Sequence, residues 1–180
     1  MKKLFVLLFL AILLSACSAQ QRAADDFERK LEKRILEQGE NDDIYFKENV
    51  AKIEGIKIEI TNTKVIPVGN KGNKGDKPLF AIWYKVTNYT DKNIDPIAAW
   101  NSIYNAVQEN GSNKIDKLKM GTLPDQKYLD SQVESIKKNG TVENAVSYEL
   151  DNQITPLTLI ARQGVNGEEI GSQEFKIKYW

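Results

Sequence analysis

The chain has 180 residues, 25 basic and 25 acidic side chains, no histidine and one cysteine, and 41% of it is hydrophobic. Such a balance belongs to a globular domain with some additions and carries no general attraction for nucleic acid. Without histidine there is no Ser-His-Asp triad, imidazole metal site or histidine base. A single cysteine excludes an internal disulfide, a zinc ribbon and a C-x-x-C redox pair.

At the N-terminus, Lys2 and Lys3 precede an unbroken apolar run from Leu4 to Leu14. As a helix this run rises roughly 16 Å, against a hydrocarbon core of roughly 30 Å, so it suits a signal-peptide core rather than a span. Two small residues follow, and then the lone thiol. Leu14-Ser15-Ala16-Cys17 resembles the bacterial lipobox. That resemblance implies removal of residues 1–16 and transfer of a diacylglyceryl group to Cys17. Loss of Lys2 and Lys3 leaves 23 basic against 25 acidic residues. Each buried CH₂ contributes about 0.8 kcal/mol, and two acyl chains hold where one binds only marginally. Cys17 is therefore expected to be the lipid attachment point, and the cell membrane's extracellular face the expected location.

Residues 17–47 are expected to form a lipidated, partly helical tether. Phe27, Leu31 and Ile35 repeat at i, i+4, i+8, giving one narrow apolar stripe; Asp25 or Asp26 can cap its start and Gly39 can close it. A helix of this length is marginal alone, so a solvated spacer is the simpler reading.

Residues 48–180 are expected to form an all-β domain. From Gly55 the apolar rhythm changes to two, with Ile56, Ile58 and Ile60 alternating with polar neighbours and Val65, Ile66 and Val68 continuing the segment. Phe80, Ile82, Tyr84 and Val86 share one face of "LFAIWYKVTN". Trp83 alternates opposite them, which implies a second layer or an unusually apolar outer face. Further strands are expected in "TVENAVSYEL", "PLTLIARQ" and "SQEFKIKYW". All five prolines lie at the ends of such runs, and Asn110-Gly111, Asn139-Gly140 and Asn166-Gly167 supply turns. About seven short strands with this punctuation point to an antiparallel β-sandwich. One stretch departs from the pattern. Ile97, Trp100, Ile103, Tyr104 and Val107 have helical spacing, with Asp95 as cap and Pro96 at the first helical position, while Asn110-Gly111 suits a hairpin leaving a strand.

Taken together, "ITNTKVIPV", "LFAIWYKVTNYTDKNIDPIAAW", "YNAVQENG", "VSYEL" and "IGSQEFKI" resemble a family of Gram-positive secreted lipoproteins catalogued as domain of unknown function 5067. The likeness covers roughly residues 45–178 and is carried best by Tyr84 to Asn88, by Ala106 with Gln108, and by Ile170-Gly171. It implies an immunoglobulin-like sandwich in which Tyr104, Ala106 and Gln108 lie on a strand, with a helical turn allowed around Ile97 to Trp100. It implies no chemistry.

Candidate sites are few. "VGNKGNKGDKP" spaces Gly69, Gly72 and Gly75 three apart but lacks the G-K-[ST] and following helix of a phosphate loop, and is expected to be a mobile, solvated connection. Asp91, Asn93 and Asp95 open like an EF-hand loop, but Pro96 stands where glycine is needed and Ser102 where glutamate is needed, so turn chemistry is expected and no metal. Trp100 and Tyr104 are the first choice for an exposed aromatic binding patch. The leading functional expectation is a non-catalytic, lipid-anchored extracellular binding module. It would need no cofactor, would have a protein or wall polymer as partner, and would have no nucleic-acid role. The alternatives are a regulatory or immunity-type surface lipoprotein, and a wall-sugar hydrolase using carboxylates such as Asp125, Asp130 and Glu134, which would need two acids roughly 5–9.5 Å apart.

Overall fold

The computed structural model describes residues 44–109 and 116–178, together with the isolated Arg29. The leader, Cys17, the tether stripe and the Asn110-Gly111 turn lie outside the described residues. The compact unit begins at Ile44, and its first strand opens at Tyr45, inside the stretch read as the end of the tether. Three residues of "YFK" are too few to display a period of two.

Among the described residues, nine strands form two antiparallel sheets. The first has the order β1 (Tyr45–Lys47), β2 (Val50–Ile53), β3 (Ile56–Ile66), β4 (Leu79–Asn88), β7 (Thr141–Glu149). The second has the order β6 (Asp116–Lys117), β5 (Tyr104–Gln108), β8 (Leu157–Arg162), β9 (Glu169–Phe175). Counted from β3, the strands β3, β4 and β7 stand where an immunoglobulin domain has A, B and E, and β5, β8 and β9 stand as C, F and G. The chain is an immunoglobulin-like β-sandwich. Lys119–Gly121 lies beside β7 in the place of strand D, through Glu149 N–H to Lys119 O and Gly121 N–H to Ser147 O, both 2.9 Å.

The β1–β2 hairpin is an addition outside strand A. Its two-residue turn puts Glu48 and Asn49 at φ 49° and 68°, the pair of positive angles that matches the twist of a tight hairpin. The hairpin reaches across to the second sheet. Asn49 N–H donates to Gln173 Oε1 at 2.9 Å, and Gln173 Nε2 returns a bond to Asn49 Oδ1 at 2.6 Å. Gly171 allows the close approach, since a Cβ there would stand 2.7 Å from Phe46 O, at φ 146°.

The alternation expected from the sequence is present. Ile56, Ile58 and Ile60 face the core with Phe80, Ile82, Tyr84 and Val86. At Thr61 a bulge shifts the register between Ile60 and Asn62, so Thr63 and Val65 turn inward opposite Ile82 and Phe80. Ile66 then turns outward, where it forms a second small cluster with Leu79, Ala81 and Trp83. The outer face therefore does meet a further layer. The Thr122 carbonyl accepts from Ser147 Oγ at 2.6 Å, and Gly121 lies against Leu79.

The ambiguous stretch is helix and strand in succession. Helix α1 (Pro96–Ile103) starts with Asp95 accepting from Ala98 N–H at 2.7 Å and proline at its first turn. At Tyr104 the backbone becomes extended and β5 begins. Helical spacing was right up to Ile103, and the family resemblance was right from Tyr104 onward. The last strand differs from expectation. It runs Glu169–Phe175, not on through Ile177, because its register with β8 starts at Arg162 opposite Glu169 and ends at Leu157 opposite Phe175.

Replacing Gly171 by valine is expected to lower stability by about 1–3 kcal/mol, from the unfavourable φ and the contact with Phe46 O. Urea unfolding of the two proteins under identical conditions checks this.

Candidate functional site

Trp100 and Tyr104 do not form an exposed patch. Trp100 is 0% and Tyr104 4% exposed. Ring centroids lie 4.5 Å apart for Tyr84–Trp100, 4.4 Å for Trp100–Tyr104 and 5.2 Å for Phe46–Tyr104, making one aromatic cluster between the sheets. Both residues fall on the inward side of the helix-to-strand junction, so their spacing reports the core and not a ligand surface. Trp100 Nε1 donates to Tyr148 OH at 2.7 Å, and Tyr84 OH donates to Pro96 O at 3.2 Å. Tyr104 OH is buried and finds no hydrogen-bond partner among the described residues.

The glycine-lysine loop is solvated along most of its length, as expected, and is tied down at Asn73. Asn73 is buried, donates to Ile66 O and Lys77 O, and accepts from Gly75 N–H. Gly72 sits against Pro124 O at φ 93°, where a Cβ would collide. In the EF-like stretch, Asp91 pairs with Lys138 at 2.8 Å and Asp95 caps α1, as turn chemistry requires. Asp125 caps a short 3₁₀ turn (Gln126–Tyr128) through Lys127 N–H at 3.2 Å and lies 3.6 Å from Lys127 Nζ. Asp130 and Glu134 are exposed at either end of the next such turn. Among the described residues no helix is long and apolar enough to cross a membrane, and no three acidic or thiol groups stand together in metal-binding arrangement.

The residues that carried the family resemblance turn out to be closing devices. Asn88, fully buried, donates to Lys92 O (2.7 Å) and Ile136 O (2.8 Å), and accepts from Thr90 N–H and Oγ1. Gln108, 1% exposed, donates to Thr155 O and Asn152 O and accepts from Asp151 N–H and Asn152 N–H. Each amide uses both ends of its dipole, so its burial costs little. Gly171 is the contact with β1.

Among the described residues, a groove of about 450 Å³ lies between the edges of β3 and β9. Val65, Phe80 and Phe175 lie along it, with Thr63 and Lys64 on one rim and Glu174, Lys176 and Lys178 on the other. Phe80 and Phe175 meet in a tilted ring contact, centroids 5.9 Å apart. The sequence hid this site because its members come from three distant segments. The alternating lysines of "KIK" were the one visible signal.

The profile of the family described as Domain of unknown function (DUF5067) matches residues 31–163. The chain belongs to this family. Its fold recurs in solved structures. A Staphylococcus aureus protein described as a "putative lipoprotein" superposes with TM-score 0.63 at 20% identity, over 75% of this chain and 92% of that one. An Enterococcus faecalis protein solved by NMR gives 0.58 at 22%, over 74% and 93%. A Bacillus subtilis "putative lipoprotein" gives 0.50 at 14%, over 73% of this chain but 39% of its own length. At these identities the likeness concerns the fold. No curated protein sequence matches the chain. In the family's terms, the Tyr-x-Val-Thr-Asn segment marks the inner face of strand B and the turn that follows it.

The buried tyrosines make stability depend on alkaline pH. Burial pushes the Tyr148 phenol up to about 12, even though the Trp100 hydrogen bond opposes it, and pushes Tyr84 and Tyr104 higher still. Above pH 10 the unfolded chain releases these protons while the folded chain keeps them, so stability falls as pH rises. Each tyrosine contributes a slope of about 1.4 kcal/mol per pH unit. Urea midpoints are expected to hold steady to about pH 9 and then fall between 10 and 12. Tyr104→Phe, which also removes an orphaned hydroxyl, should lessen that fall by about a third and raise stability at pH 7 by about 1 kcal/mol.

Proposed function

We propose that this protein is a lipid-anchored module on the extracellular face of the cell membrane, which binds a protein or wall polymer and performs no catalysis. The observation that carries the reading is Leu14-Ser15-Ala16-Cys17 standing directly after a charged start and an apolar run too short to span. Cys17 receives the lipid, residues 1–16 are removed, and the stretch to Ile44 is the tether. Fully extended, that stretch reaches roughly 90 Å, enough to hold the sandwich clear of the headgroups. Two fold neighbours being described as "putative lipoprotein" supports the same placement.

Binding rather than catalysis is favoured by how the side chains are used. Asp91, Asp95 and Asp125 hold turns and caps, and the aromatic cluster is committed to the core. What remains for a partner is rim and edge, which a rigid sandwich presents well.

In a Gram-positive host, mass spectrometry of the native N-terminal peptide is expected to find a diacylated Cys17 with no leader, and the protein in the membrane fraction. Cys17→Ser should retain the leader or release the chain to the medium. An unmodified sulfur on a membrane-retained wild-type chain would overturn the proposal.

A further inference from the structure

The groove between β3 and β9 has the architecture of an unfinished seam. On this side of the sandwich, the β1–β2 hairpin closes only one half. β2 pairs with β3 from Ile56 to Glu59, and the hairpin meets β9 through Phe46 of β1 at Gly171 and through Asn49 of its turn at Gln173. Beyond the bulge at Thr61 that cover ends, and among the described residues β3 is bordered there only by β4 on its other side. Thr63 gives its N–H to Asn62 Oδ1 at 2.9 Å, so that amide lies on the edge away from β4. The two-residue alternation of antiparallel strands puts the N–H and C=O of Val65 on the same edge. Opposite it, among the described residues, β9 is the terminal strand of the second sheet and has β8 as its only ladder partner.

We infer that this half of the seam receives one extended acidic peptide segment from a partner protein, bound by strand addition; this rests on the binding-module reading above. Packed sheets lie about 10 Å apart and paired strands about 4.8 Å apart, so one strand fits between two facing edges. A groove of about 450 Å³ is within the range of sites that hold a ligand. The side chains of an inserted strand alternate. Those pointing in would meet Val65, Phe80 and Phe175, and those pointing out would meet the rims. Among the described lining residues, Lys64 on one rim and Lys176 on the other against Glu174 make the rims positive, which selects carboxylates on the outward positions. Main-chain hydrogen bonds give such binding its affinity and the alternating side chains its specificity.

The test titrates the full chain in detergent with a fluorescent eight-residue peptide alternating glutamate with valine and threonine. Its lysine analogue, its N-methylated form and inorganic polyphosphate serve as comparison probes. The acidic peptide is expected to bind and to move the amide resonances of Thr63 and Val65. Affinity should fall at least tenfold with N-methylation, and at least tenfold in Lys64→Glu/Lys176→Glu with unchanged urea midpoint. No binding at millimolar peptide, binding indifferent to N-methylation, or equal binding of polyphosphate would each overturn the inference. A surface partner captured from cells equally well by Lys64→Glu/Lys176→Glu would sink the groove while leaving the binding module standing.

Discussion

A buried indole must give its N–H to something, and in this sandwich that requirement organises the interior. Trp100 meets it with the hydroxyl of Tyr148, so α1 is fixed against β7 by a bond inside the core. Tyr84 on β4 fixes the same helix a turn earlier through Pro96 O. The helix in turn delivers Tyr104 into β5 beneath Phe46. Immunoglobulin domains of antibodies cross-link their sheets with a disulfide packed on a tryptophan. Here, with one cysteine in the chain, two hydrogen bonds hold α1 to the first sheet. A tilted ring contact from Trp100 to Tyr104 on β5 and an edge-on one from Tyr104 to Phe46 on β1 link the two sheets.

The second device is the buried carboxamide. Asn88, Gln108 and Asn73 each tie a connection to the end of a strand through main-chain groups that the sheets leave unpaired. An amide suits this work because it donates and accepts from one planar group, without the desolvation cost of a charge. The result is a frame whose loops are pinned at both ends of the sandwich. Among the described residues, the edge of β3 left without a ladder partner lies along its side, where the β1–β2 hairpin stops.

Much of the frame was legible because it rests on local rules. Period-two alternation placed the inner faces of β3 and β4, Asp95-Pro96 announced α1, and proline positions marked where ladders end. Other features were illegible for a shared reason. The aromatic spacing of Trp100 and Tyr104 reads the same whether the side chains point to solvent or to a facing sheet. Asn73 looks like any loop asparagine until Ile66 and Lys77 are brought beside it. The groove unites Thr63–Val65, Phe80 and Glu174–Lys178, segments with no pattern in common.

By itself the sequence determined the class of fold, the family and the short apolar run Leu4–Leu14 ahead of the lone Cys17, since hydrophobic period, turn chemistry and run length act between near neighbours. The tertiary structure alone decided which aromatics are core, which polar residues lock loops, and where a strand edge stands open. Those properties depend on which distant segments share a surface, and burial has no meaning until the second sheet is in place.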